Sequence, residues 1–257
     1  MSESENSAVK TAARTLDIFE AFAQAGEPLT LTELADRIGI PLSSCHALVR
    51  TLQARGYVYL FERRRWIFPT KRLFDIAQAI TRHDPLLKRI QPLLVKLRDQ
   101  TGETVILGKR QLDEVIYLDV VEGHHTIRYS AQPGAAKPLH SSAAGKVILS
   151  RLSIVELEKL IGRIGLRPMT AGTIVDFDTL RADLEEGRGR GYFSTRGENV
   201  VDVGALGMPL TMTGETLALT VAGPLDRIEA HLEANLSAMR AVLDLLSDID
   251  REAALEA

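Results

Sequence analysis

LTELADRIGIPLSSCHALVRTLQARGYV, residues Leu31–Val58, decides the fold of the first part of the chain. Thr30 and Glu33 stand just at its start with the spacing of a capping box, in which each residue satisfies a free N–H of the other. They predict a short helix over Leu31–Ile38, with Leu34 and Ile38 turned inward. Gly39 and the run Ile40-Pro41-Leu42 end it in a tight corner. A second helix is expected from about Ser43 to Arg55, with Cys45, Leu48, Val49 and Leu52 at the spacing of one buried face. Helix, tight corner, helix is the helix-turn-helix pattern. Ala35 stands where the two helices cross, and a small residue suits that close approach.

Reading outward, two strands are expected at Tyr57–Phe61 and Trp66–Pro69. Between them lies Glu62-Arg63-Arg64-Arg65, a charged tip with the composition of a wing. Upstream, Val9, Ala12, Ala13, Leu16, Phe19, Phe22 and Ala23 recur at helical spacing and predict a helix over residues 9–25.

Charge separates this region from the rest. The 257 residues carry 31 Lys and Arg against 34 Asp and Glu, a net charge of −3. Residues 41–72 nevertheless hold Arg50, Arg55, Arg63, Arg64, Arg65, Lys71 and Arg72 against the single acid Glu62. A basic segment in an acidic chain is the footprint of a phosphate-binding face. Ser43, Ser44, His46 and Arg50 of the second helix are the candidates for reading double-stranded DNA, and Arg63, Arg64 and Arg65 for gripping its backbone.

The pattern changes further on. Residues 70–80 read as a helix, and Asp84-Pro85 opens another whose face includes Ile90, Leu93, Leu94 and Leu97. Val105–Leu107, Val115–Val121 and Ile127–Ala131 are β-branched runs between turn residues. Helices are expected over Ser142–Ser150, after the Ser153/Glu156 capping box, and over 178–188. Strands return at Gly191–Thr195, Val203–Leu210 and Thr216–Ala222, and one long helix from Leu225 to Ile249 closes the chain. The class is therefore α+β, with helices around an antiparallel sheet.

Other readings are weaker. The polar start Met1–Ser7 is no signal peptide, and no apolar run is long enough for a membrane span. The one cysteine, Cys45, fits a reducing, cytoplasmic setting. His140, Ser141, Ser142 and Lys146 lack the spacing of a nucleophile elbow or a phosphate loop, so no catalytic residue is expected. His124-His125 lacks a second ligand pair, so no metal or other cofactor is expected.

Four stretches carry a family likeness: Ala13-Arg14-Thr15-Leu16-Asp17-Ile18, the opening motif above, PLHSSAAGKVIL at Pro138–Leu149, and GYFSTRGENVVDVGALGMPL at Gly191–Leu210 with Glu198 and Gly204. Through them the sequence resembles the IclR family of bacterial regulators over nearly its whole length. The resemblance implies a winged helix-turn-helix domain at 1–70, linker helices at 71–101, and a GAF-like effector-binding and oligomerisation domain at 102–257. It implies homodimers or homotetramers on palindromic operators, and sensing of a small metabolite, often an organic acid. Its effector pocket, carried over by position, is walled by Tyr129, Ala143, Ala144, Thr195, Val203, Ala205, Thr220 and Ala222. Ser141 and Ser142 add hydroxyl donors at the start of the adjacent helix, where free N–H groups suit a carboxylate. Two positions depart from the pattern: Ala47 stands where an arginine is frequent, and Ala205 where a cysteine is. The expected protein is a ligand-responsive regulator without catalytic activity. An architectural DNA binder and a DNA-tethered enzyme are the other classes this sequence leaves open.

Overall fold

The computed structural model describes residues 9–61, 63, 65–82, 85–212 and 214–255. Asp84, read above as a helix cap, and Arg64 lie outside the described residues. The chain divides into two compact units, Met1–Asp84 and Pro85–Ala257.

In the first unit, α1 (Lys10–Ala25) precedes the two-residue strand β1 (Leu29–Thr30), α2 (Leu31–Arg37) and α3 (Leu42–Ala54). The Thr30/Glu33 capping box is formed in full. Then come β2 (Val58–Phe61), β3 (Trp66–Pro69) and the exposed helix α4 (Arg72–Arg82). The three strands form an antiparallel sheet in the order β1-β3-β2. β1 escaped the sequence reading because two residues carry no alternation; register with Ile67 and Trp66 defines it instead. Ile18, Phe22, Leu34, Cys45, Val49 and Ile67 are in the core; in α1 the buried face is Ile18, Ala21 and Phe22, and Leu16 of the expected face is exposed.

The second unit opens with α5 (Pro85–Thr101) and builds one six-stranded antiparallel sheet. Its strands are β4 (Thr104–Gln111), β5 (Glu114–Val121), β6 (Ala136–Pro138), β7 (Phe193–Arg196), β8 (Val203–Met212) and β9 (Glu215–Pro224), in the order β6-β5-β4-β9-β8-β7. Side chains alternate across it. Ile106, Ala205, Ala218 and Ala222 face a core covered by α6 (Ala143–Leu149), α7 (Ile154–Ile164) and α8 (Phe177–Arg190). Val105, Leu107, Leu206, Leu219 and Val221 face the opposite core, against α5, α9 (Leu225–Ala230) and α10 (Leu232–Leu255). Ile90, Leu94 and Leu97 of α5 are fully buried there. Of the two helices expected between 71 and 101, α4 belongs to the first unit and α5 to the second.

Two expectations fail. Ile127–Ala131 is not a strand. Side chains tie it down instead: Thr104 Oγ1 donates to the Tyr129 carbonyl, and Glu122 accepts from Arg128 and Ser130. The edge of the sheet passes to Ala136–Pro138, paired with Glu114–Ile116. The closing helix is broken at His231, whose backbone leaves helical geometry at φ −114° and ψ 22°.

Candidate functional site

α3 turns Cys45, Val49 and Leu52 into the core, so Ser43, His46, Ala47 and Arg50 are left on its open face. Ser44 is half-buried and stands at the margin of that face rather than on it. Pro41 precedes the helix and offers no side-chain cap, and the first turn holds no acid. The N–H groups of that turn are free for an anion, and a negative charge there is favoured by the helix dipole. Arg63 and Arg65 are exposed at the tip between β2 and β3, with Arg65 at a positive φ of 51°. α3 and the tip thus carry guanidinium and hydroxyl groups that have solvent as their nearest neighbour. Arg72, counted above in the basic segment, has its guanidinium 5.3 Å from the Tyr57 ring centre.

In the second unit one cavity lies between α6 and the sheet. Ile106, Tyr117, Tyr129, Ser142, Ala143, Ala144, Thr195, Asn199, Val200, Val203, Ala205, Thr220 and Ala222 line it. Its volume is about 30 Å³, room for roughly two ordered waters. The cavity is a narrow slot. All eight residues that the family likeness put in its wall are among those thirteen, and so is Ser142, one of the two expected hydroxyl donors. Ser141 is not: it is fully buried and its hydroxyl meets no partner. Ile106, Tyr117, Asn199 and Val200 were missed. Tyr117 and Ile106 carry a signal in hindsight, since strand alternation puts them on the Val115 and Ala218 face. Asn199 and Val200 sit in a turn, where no periodicity exists to find them.

α6 reaches the sheet closely because side chains are missing. A Cβ on Gly207 would stand 2.9 Å from the Ala143 carbonyl oxygen, and one on Gly145 only 2.1 Å from that of Leu139. Ser142 caps the helix by accepting the Gly145 N–H at 3.1 Å and donating to the Pro138 carbonyl at 2.7 Å. The N–H groups of Ala143 and Ala144, both cavity residues, are in the first turn and have no acceptor within the helix.

No charged residue lines the slot. Its polar groups are the Tyr117 and Tyr129 phenols, the Asn199 amide and the hydroxyls of Ser142, Thr195 and Thr220. Burial, and then the neighbouring Tyr129, push the Tyr117 phenol above its ordinary value of 10.0, so it stays a neutral donor. The Thr220 hydroxyl is buried without a partner. Such a group costs about 1–3 kcal/mol unless something hydrogen-bonds it. Beside the cavity, Lys146 is buried between Glu198 at 2.7 Å and Asp183 at 2.9 Å. Burial raises the Glu198 carboxyl above 4.5, with Lys146 opposing the shift and Asp183 adding to it. Nucleophilic chemistry finds no support here: His140 hydrogen-bonds the Arg167 carbonyl at 2.9 Å, and burial lowers its affinity for a proton. Among the described residues no cluster of three or more His, Cys, Asp or Glu could hold a metal. None of the described helices is long and apolar enough to cross a membrane.

A helix-turn-helix with a wing, joined to a sheet domain, defines a DNA-binding transcriptional regulator. The model of the IclR helix-turn-helix domain matches residues 11–60, and that of the bacterial transcriptional regulator IclR C-terminal domain matches residues 77–251. The chain belongs to the IclR family, whose members are transcriptional regulators rather than enzymes. It is 33% identical over 239 residues to the HTH-type transcriptional regulator BhcR of Paracoccus denitrificans, covering 91% of this chain and 84% of that one. To the transcriptional repressor IclR of Escherichia coli it is 31% identical over 236 residues, 90% and 86% of the two chains. Among solved structures, IclR from Thermotoga maritima matches with a TM-score of 0.75 at 23% identity, over 93% of this chain and 99% of that one. An IclR homologue from Microbacterium hydrocarbonoxydans, complexed with 4-hydroxybenzoate, matches with a TM-score of 0.69 at 20% identity, over 91% and 99%.

Proposed function

We propose that this regulator is ligand-responsive: it binds a palindromic operator as a symmetric cytoplasmic oligomer and senses a small organic acid, aromatic acids included, in the slot between α6 and the sheet. The observation that carries the reading is the slot itself, which gathers all eight expected wall residues and Ser142 around one space. Its apolar walls suit a slim body, and its neutral donors suit a carboxylate: the Thr220 hydroxyl, the two phenols and the first-turn N–H groups of α6. A structural neighbour is complexed with 4-hydroxybenzoate, which supports an aromatic acid as a ligand class; at about 30 Å³ the slot must widen to admit one. The oligomer is supported by α4, where Leu73, Phe74, Ile76 and Ile80 are all exposed, and by Val9 and Leu16 near the start of α1. One recognition helix reads only a few base pairs, and a two-fold pair reads a palindrome.

The test is a melting-temperature screen of the full-length protein against a panel of small acids and their amides, followed by operator release. Ala144→Leu fills the slot and should abolish the response while operator binding and folding persist. A variant that responds as the parent does, or binding by the amides alone, would remove the slot or the acid from this reading.

A further inference from the structure

Lys146 is the largest fully buried side chain among the described residues. It donates to Glu198 Oε1 at 2.7 Å and to the Ser194 carbonyl at 3.2 Å, and it is ion-paired with Asp183 Oδ2 at 2.9 Å. Through them α6 is joined to α8, to β7 and to the turn 197–202. That turn has little apolar hold of its own, since Val200 and Val201 are 40% and 64% exposed. Polar ties hold it instead: Thr170 Oγ1 donates to the Gly197 carbonyl and Thr173 Oγ1 to the Glu198 carbonyl, both at 2.6 Å. The residues after Glu198, Asn199 and Val200, form part of the slot, and so do Ala143 and Ala144, a turn or less before Lys146. Each partner of the ion pair is thus adjacent in sequence to a wall of the slot. A buried ion pair is a weak source of net stability, because desolvation offsets its attraction. A wall held in fixed geometry gives this one a purpose.

We infer that Glu198 is a positioning residue for the slot: its ion pair with Lys146 pins the turn 197–202 to α6 and sets Asn199 and Val200 as the outer wall. The biological use of that wall rests on the slot being the effector site, but the mechanical claim does not. The experiment therefore needs no ligand. Ala205→Cys places a thiol in the slot, and Val242→Cys places one in the opposite core, where Val242 is fully buried. Cys45 stays as an internal reference in the other unit, also fully buried. Alkylation by iodoacetamide is followed by peptide mass spectrometry. Glu198→Ala leaves Lys146 paired with Asp183 and should speed alkylation at position 205 at least about tenfold, by freeing local opening, while positions 242 and 45 keep their rates. Glu198→Gln retains an acceptor without the charge and should fall between parent and Glu198→Ala; it carries the test alone if the alanine variant does not fold. Parental rates at 205, or an equal rise at 205 and 242, would overturn the inference, the second by showing general loosening. Failure to find any effector would count against the effector reading and leave the positioning role intact.

Discussion

Arg50 stands on the exposed face of α3, one turn beyond His46, and no ion pair to it is seen among the described residues. A base edge read by this guanidinium predicts that Arg50→Ala costs about 1–3 kcal/mol on the operator and less on random DNA. Competition titrations on both sequences measure this, and equal losses would make Arg50 a phosphate contact. The face of α3 was legible because each side chain's exposure follows from helical spacing, Ser44 excepted. The slot was legible for a different reason. Its apolar wall residues were placed by likeness to a family, since small residues such as Ala143 and Ala205 suit a core equally well. The Lys146–Glu198 pair was not legible, because 52 residues separate the partners and no local periodicity links a helix to a distant turn.

Strands and helices came through the sequence where their signal is local. The capping boxes at Thr30/Glu33 and Ser153/Glu156 formed as read, and Asp176 caps α8 by accepting the Thr179 N–H at 2.8 Å. These carboxylates are held low by hydrogen bonds: Glu33 from the Thr30 N–H and hydroxyl, Glu156 from the Ser153 hydroxyl and N–H. A lowered folded value means the native state releases its proton more readily than the unfolded chain. The caps' contribution is thus present above the ordinary glutamate value of 4.5 and is lost as pH falls through the lower native value. The melting temperature of Glu33→Gln, Glu156→Gln should lie below the parent's near neutral pH, and the gap should close in acid. A gap independent of pH would remove the charge from the explanation. At the wing, changing Arg63, Arg64 and Arg65 together to alanine should weaken binding to all sequences alike and flatten the salt dependence by up to about three units. An unchanged slope would take the wing off the DNA. Ile127–Ala131 misled because a β-branched, aromatic run reads as a strand whether or not a neighbouring strand is free to pair with it.

For the whole molecule, the exposed apolar stripe of α4 predicts association. Multi-angle light scattering should give a dimer or tetramer at micromolar concentration, and Leu73→Glu, Ile80→Glu should lower the mass and the operator affinity together. A monomeric parent would sink this expectation. The broad α+β architecture was visible from periodicity; α4 and α5 both read as amphipathic helices, and packing places α5 in the second unit. That packing bears on how such regulators could be recombined. The sheet is a party wall: β4 sends Ile106 to the slot and Val105 and Leu107 to the layer behind it. Ile90, Leu94 and Leu97 supply part of that layer, and each fully buried side chain of this kind contributes roughly 1.5–3 kcal/mol. A domain as a whole retains only about 5–15 kcal/mol. A chimeric sensor spliced at residue 102 would discard those three side chains and arrive at its new host close to unfolded. One spliced at residue 85 carries its own backing, and that is the cassette boundary to use when the sensing half is exchanged between proteins.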